Sequence, residues 1–330
     1  AAASAPGNAD GLIWVTTKAR GPVLLVLVAT GDDLTRTLVW TDAIGPEVSE
    51  YRIRRLAGDI TDALFDTHVR GREPAIVPPE ALDLYAKGMA QLGEARRELT
   101  IRRAQDYFER TVHLAPAWAA AYAQLCHTKM VKYLWSRDVS MLDQAAPDCE
   151  RAEQLDAESV LALKSSAYLA RWRGDLDLAE QKYEQALALD PEAGSVLGAV
   201  AELSLDRFRR TGDEKFAARA RMFGKRRVAA EPDSWKASFT LGRIAYMTGD
   251  PQEAIDWTAR AAQIDPNWQV LNNLGTMYFC AGDFEAAREA FLASQDSAPE
   301  MYAAHTNLGA VYHALGRFAL AAEHFEKALE

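Results

Sequence analysis

No apolar run in this chain approaches the length of a membrane span. The longest, residues 22–29, is eight residues, against about 20 for a helix that crosses a bilayer, and its composition suits a buried β-strand. Three catalytic signatures are also missing: the Gly-rich phosphate loop ending in Lys and Ser/Thr, the metalloprotease helix with two histidines, and the nucleophile elbow. The six histidines, His68, His113, His127, His305, His313 and His324, include no pair four residues apart, the spacing that puts two zinc ligands on one helix face. His313 and His324 approach across one helix pair in this reading, but ordinary surface histidines are the plainer account. No catalytic residue, metal or cofactor is therefore assigned, and the chain is expected not to be an enzyme.

Basic charge is in short supply as well. Thirty-seven Lys and Arg face 47 Asp and Glu, a net charge of −10, which argues against direct nucleic-acid binding by the chain as a whole, because a phosphate backbone needs a basic surface. With 49% hydrophobic and 25% charged residues, the composition is that of a folded α-rich protein and excludes general disorder. The chain opens on Ala1 rather than Met and ends at Glu330 within a helical pattern that has no polar capping helix; a piece of a longer protein is the expectation.

What the sequence has in quantity is self-similarity. Leu274, Gly275, Tyr278, Gly282, Ala287 and Phe291 return 34 residues later as Leu308, Gly309, Tyr312, Gly316, Ala321 and Phe325. Leu241, Gly242, Gly249, Ala254 and Pro266 give the same pattern 33 residues earlier. A small residue where two helices touch lets their backbones approach, a Gly after the first helix takes a left-handed turn, and a Pro ends the second. Looser copies run upstream through Gly174, Ala179, Tyr183, Ala186 and Pro191, a stretched copy from Leu197 to Pro232, one around Leu125, Ala145, Cys149 and Ala152, and one closed by Ala104, Phe108 and Pro116. About seven helix-pair units are expected between Pro79 and Glu330.

Residues 1–75 read differently. Strand signals lie at 12–17, 23–28 and 35–40, with a turn at Gly31, Asp32 and Asp33, and Ile53, Leu56, Ile60 and Leu64 recur at helical spacing. The expected organisation is a small α/β segment over 1–75, three strands and a helix, followed by a mainly α solenoid over 76–330.

The repeated residues resemble the tetratricopeptide repeat, in which a Leu-Gly pair and an aromatic sit on the first helix and Ala, an aromatic and Ala on the second. The order of a small α/β piece and then repeats opening at Pro79, Glu80, Ala81, Leu82, Asp83, Leu84 and Tyr85 is similar to the sensory halves of bacterial winged-helix regulators, adenylate cyclases and Ser/Thr kinases. There a domain like the amino-terminal domain of the TolB translocation protein precedes such repeats, and only its second half is covered here. The resemblance implies a protein-interaction or sensory module of a signalling or transcription-regulatory protein. The alternative is the regulatory region of a kinase or cyclase whose catalytic part lies outside this chain. It also gives a weak lean to an extracytoplasmic location, with the cytoplasm as the alternative.

Tetratricopeptide geometry maps a partner-binding groove onto the first-helix faces. Lys164, Tyr168, Arg171 and Trp172 line it in one unit, and Lys236, Phe239, Arg243 and Tyr246 in another. Asn272, Asn273, Thr276 and Phe279 follow, then Thr306, Asn307 and His313. Cations and aromatics dominate, which suits an extended peptide or acidic segment. Asn273 and Asn307 precede the Leu-Gly pairs, where an amide is able to hold peptide main chain by donating and accepting at once; bonds to neighbouring helix groups are the competing reading. A basic stretch from Arg207 to Arg227 is either a patch for an acidic or phosphate-bearing partner or a solvated helix exterior.

The three cysteines leave at least one unpaired. Cys126 and Cys149 fall on opposite helices of one unit, as a bridge or as two buried thiols, and Cys280 falls on the groove as the free thiol. An incomplete sheet and an uncapped solenoid end both offer surfaces for a homodimer.

Overall fold

A computed structural model describes residues 77–93, 98–299 and 302–329, together with the backbone of six short strands between Ala2 and Leu38. The strands pair as antiparallel hairpins: β1 (Ala2–Ala3) with β2 (Ile13–Trp14), β3 (Thr16–Lys18) with β4 (Gly21–Val23), and β5 (Leu25–Thr30) with β6 (Asp33–Leu38). The last of these is the hairpin about the Gly31–Asp33 turn signal, with Thr30 opposite Asp33 and Leu25 opposite Leu38. The run at 12–17 is not one strand, because β2 and β3 take different partners. The helix expected around Ile53–Leu64 and the boundary at 75/76 lie outside the described residues.

Fourteen helices follow among the described residues, arranged as seven antiparallel pairs. The pairs are α1 (Pro79–Gly93) with α2 (Glu98–Leu114), α3 (Ala119–Ser136) with α4 (Ser140–Leu155), α5 (Val160–Arg173) with α6 (Leu176–Leu189), and α7 (Gly194–Thr211) with α8 (Glu214–Ala230). The remaining three are α9 (Trp235–Met247) with α10 (Pro251–Ile264), α11 (Trp268–Cys280) with α12 (Phe284–Ser297), and α13 (Tyr302–Ala314) with α14 (Phe318–Lys327). The chain divides into two compact units, Ala1–Asp190 with the strands and α1–α6, and Pro191–Glu330 with α7–α14. The stretched copy from Leu197 to Pro232 takes up its extra length by lengthening helices, α7 to 18 residues and α8 to 17.

Local chemistry explains the sharp turns inside the pairs. Four first helices end on a left-handed Gly followed by Asp, at Gly174–Asp175, Gly212–Asp213, Gly249–Asp250 and Gly282–Asp283. The Gly reaches a positive φ that a side chain disfavours, and the Asp carboxylate accepts the orphan backbone N–H of the next helix, as Asp250 does from Glu253. Between pairs, Asp190 and Asp265 cap the second helices in extended conformation directly before Pro191 and Pro266; a proline disfavours helical backbone in the residue that precedes it.

In four of the pairs the eighth residue of the first helix lies at the contact with the second. Gly242, Gly275 and Gly309 hold that place in α9, α11 and α13, and a Cβ there would meet Thr258 at 2.4 Å, the Phe291 ring at 2.7 Å and the Phe325 ring at 2.6 Å. In α3 the eighth residue is Cys126, joined to Cys149 of α4 by a disulfide with the Cα atoms 5.4 Å apart. In the first pair Tyr85 packs edge-on against Phe108, ring centroids 5.5 Å apart, and against Trp118 at 4.6 Å.

Candidate functional site

Within the first unit, α3 and α5 lie side by side, tied by the Ser165 hydroxyl donating to the carbonyl of Ala123 at 3.1 Å. Their shared face carries His127 and Tyr133 from α3 with Lys164, Tyr168, Arg171 and Trp172 from α5, all half-buried. The rings interlock edge to face: Tyr133 with Trp172 at 5.7 Å, Tyr168 with Trp172 at 6.0 Å, and His127 with Tyr168 at 5.6 Å. The Arg171 guanidinium stands over both Tyr168 and Trp172, at 6.0 and 5.7 Å, within cation–π range. Trp172 Nε1 is buried with no hydrogen-bond partner among the described residues.

This aromatic surface rests on a stiff base. Tyr133, Tyr168 and Trp172 pack on a core of Cys126, Met130, Leu142, Ala145, Ala146, Cys149 and Leu169, so the disulfide lies in the layer that carries them. The Lys129 ammonium pairs with Asp148 at 2.5 Å across the same helix pair. Burial raises the Asp148 carboxyl above its ordinary value; Lys129 opposes that and Glu109 adds to it.

The second unit treats its predicted groove residues differently. Phe239 is not a contact residue: only 6% of it is exposed, and it packs with Ala261, Val270 and Trp235, because the following pair closes over that side of α9. Arg243 donates to Glu202 of α7 at 2.8 Å. The Asn273 amide donates to the Gln269 carbonyl one turn back at 2.8 Å, and the Asn307 amide to Asn272 Oδ1 at 2.8 Å. Asn273 thus bonds within its own helix and Asn307 to the neighbouring first helix. Thr276 and Thr306 bond backward to the Asn272 and Tyr302 carbonyls. Lys236 lies over the Trp235 ring. Tyr246, 43% exposed, meets the exposed free thiol of Cys280 at 3.5 Å, and that hydrogen bond is the main cause raising the phenol above its ordinary value.

Sequence reasoning placed four of the α3–α5 residues on one face and missed Tyr133 and His127. Their register is hidden because α3 runs to 18 residues and ends on Arg137 in left-handed conformation instead of Gly. The histidine pairing also differs from expectation: His324 meets His305, their Nδ1 atoms 3.2 Å apart, while His313 packs edge-on against Phe318. Residues 305 and 324 face each other across the α13–α14 pair. Among the described residues no group of three or more metal-type ligands converges, and no helix is long and apolar enough to cross a membrane.

With seven antiparallel pairs, Gly-Asp turns and a Gly-against-aromatic contact in place, comparison with known proteins becomes specific. Residues 199–267 and 273–330 match the sequence profile of the tetratricopeptide-repeat family. Over those two segments the chain is similar to tetratricopeptide repeats. No curated protein matches the chain. Among solved structures, PilW, described as a widely conserved type IV pilus biogenesis factor, is 19% identical with a TM-score of 0.53 over 63% of this chain and 91% of its own. PilF of Pseudomonas aeruginosa is 17% identical, TM-score 0.50, over 62% and 88%. The Cut9–Hcn1 hetero-tetramer of the APC/C is 15% identical, TM-score 0.53, over 81% and 49%. At these identities the likeness is one of fold: a tetratricopeptide-like helical repeat.

Proposed function

We propose that this tetratricopeptide-repeat chain is a binding module that holds a peptide or protein segment against the α3–α5 face. The observation that carries the reading is the Tyr133–Tyr168–Trp172 cluster with Arg171 over two of its rings, a half-buried aromatic surface that carries a cation. Repeat proteins of this class use such continuous helix faces for binding. Aromatic faces take an apolar side chain, and the Arg171 guanidinium adds positive charge beside them that favours an acidic neighbour. An extended segment with an apolar residue beside an acidic one fits that set.

The test is selection of peptides from a random display library on the intact chain, followed by calorimetry of the winners against Trp172→Ala and Arg171→Ala proteins of native circular dichroism. Loss of binding by tenfold or more in both supports the reading; winners that bind the variants as well as the parent sink it. The asparagine ladder is tested beside it with Asn273→Ala and Asn307→Ala.

In the wider setting, the module serves as the sensory or scaffolding region of a bacterial signalling or transcription-regulatory protein. Support comes from the order of strand-rich segment and repeats, which resembles such sensory halves. Sequencing upstream of Ala1 decides it: a winged helix fits, and a kinase or cyclase catalytic domain favours an enzyme's regulatory region. Self-association is a second reading, supported by the exposed Phe318, Phe325 and Leu329 at α14; a sedimentation coefficient independent of concentration removes it.

A further inference from the structure

We infer that His305 and His324 form a two-histidine site for a late first-row divalent cation, Cu²⁺, Ni²⁺ or Zn²⁺, which joins α13 to α14. Their Nδ1 atoms stand 3.2 Å apart. Two nitrogens each 2.0–2.1 Å from one ion are about 2.9 Å apart at a right angle and about 3.3 Å apart at the tetrahedral angle. The observed separation falls between these limits. Rotation of the two rings then brings both lone pairs to one ion with the helix backbones where they are.

The surroundings hold the rings in that position. His305 is the fourth residue of α13 and His324 lies in the last turn of α14, so the antiparallel pairing sets them opposite each other. The buried Tyr312 ring backs His324 at 5.2 Å between centroids. Both imidazoles are half-buried, and neither has a second hydrogen-bond partner among the described residues. Their mutual bond requires one Nδ1 to donate and the other to accept. When the ion binds, the donating ring carries its proton on Nε2 instead, both Nδ1 lone pairs go to the metal, and the metal gives up two waters. Nothing is oxidised or reduced.

The repeat itself does not call for histidine at these places. The corresponding residues one repeat earlier, 34 positions back, are Leu271 and Ala290, which suit plain packing. Neutral imidazole selects late first-row cations, with Cu²⁺ ahead of Ni²⁺ and Zn²⁺, over Mg²⁺ and Ca²⁺, which prefer oxygen. No third protein ligand converges among the described residues, so water keeps the remaining positions. Lys327, the cation nearest in sequence, is paired with Glu323 at 2.6 Å, which offsets its repulsion of the metal. Because Ala321 is the one buried residue of α14, a bond from α14 to α13 through the ion has a measurable effect on that pair. The site uses no residue of the α3–α5 face, so the two stand or fall separately.

The experiment is calorimetric titration of the intact, tag-free chain, at about pH 7.5 where imidazole is neutral, with nickel nitrilotriacetate, a complex that leaves two neighbouring positions on the metal open. We expect one site, weakened at least tenfold by His305→Gln and by His324→Gln and unchanged by His313→Gln or Trp172→Ala. Absence of binding by the parent, or binding as tight in either His305→Gln or His324→Gln, overturns the proposal. A second measurement needs no variant. On addition of Zn²⁺ to the parent, nitrogen NMR should show both Nδ1 resonances moving and hydrogen exchange should slow in α13 and α14. Metal on Nε2, or exchange unchanged in that pair, overturns it as well.

Discussion

In the first unit, the rings of Tyr133, Tyr168 and Trp172 stand half-buried at a shared helix face, with the Arg171 guanidinium over two of them. In the second, Phe239 is buried, Arg243 is taken by Glu202, and Asn307 by Asn272. The two faces draw on similar residue types at the same repeat positions, yet one keeps its aromatic rings half-buried at a shared face and the other buries its ring among neighbouring helices. The pairs beneath differ in the same sense. A Cys126–Cys149 disulfide underlies the aromatic surface, whereas Gly against a bulky side chain closes α9–α10, α11–α12 and α13–α14. A repeat position, then, fixes where a side chain starts from and leaves open what it is free to do.

The sharpest way to break this comparison is to remove the covalent link. Replacing Cys126 and Cys149 with Ala opens a 23-residue separation and should cost about 3 kcal/mol. Hydrogen exchange should show faster opening of α3–α4 and looser Tyr133 and Trp172, with α9–α13 unchanged. Equal acceleration in both units would show that the disulfide has no special tie to the aromatic face.

Next in size is the glycine contact. Gly275→Ala drives a methyl into the Phe291 ring, which is 2% exposed and has nowhere to move; a loss of about 2 kcal/mol is expected from chemical denaturation. Gly309→Ala meets the Phe325 ring just as closely, but that ring is 40% exposed and swings away. The better helix propensity of Ala should then leave stability near or slightly above the parent.

Binding gives a third contrast. For a segment bound at α3–α5, Trp172→Ala should weaken affinity by at least tenfold, about 1.4 kcal/mol, while Asn273→Ala with Asn307→Ala should change it by less than about threefold, since both amides are engaged internally. Calorimetry giving the reverse order would move the site to the second unit.

The smallest expected effect is a pH dependence confined to the second unit. Burial first, and then the charges of His305 and Lys327, hold His324 below its ordinary value, with Glu323 opposing. The unfolded state therefore takes up the proton first as pH falls through about 6.5, so stability declines there until His324 protonates in the fold as well. Protection factors of α13–α14 amides should drop over that interval, and His324→Gln should flatten the curve.

Much of this architecture is legible in the residues. The Leu-Gly pairs and the left-handed turn glycines announce the last three repeats, joined in two of them by a capping Asp, because each answers a local need: close backbone approach, a positive φ or a free N–H. The pair α3–α4 is harder to read, since Cys126 stands at the glycine position and Arg137 at the left-handed one. The sequence reading found Tyr168, Arg171 and Trp172 and missed Tyr133 on the longer helix. It assigned Phe239 to a groove because register defines a face of a helix, whereas the next pair decides how much of that face stays open.

By itself, then, the sequence determined the helix pairs, their period and their turns, because those depend on interactions within a few residues. The tertiary structure alone decided which polar and aromatic groups remain available. Asn272 with Asn307, Glu202 with Arg243, and Cys126 with Cys149 are separated by 35, 41 and 23 positions. Whether each meets its mate depends on how successive helices stack, and a buried polar group takes whatever partner that stacking brings within reach.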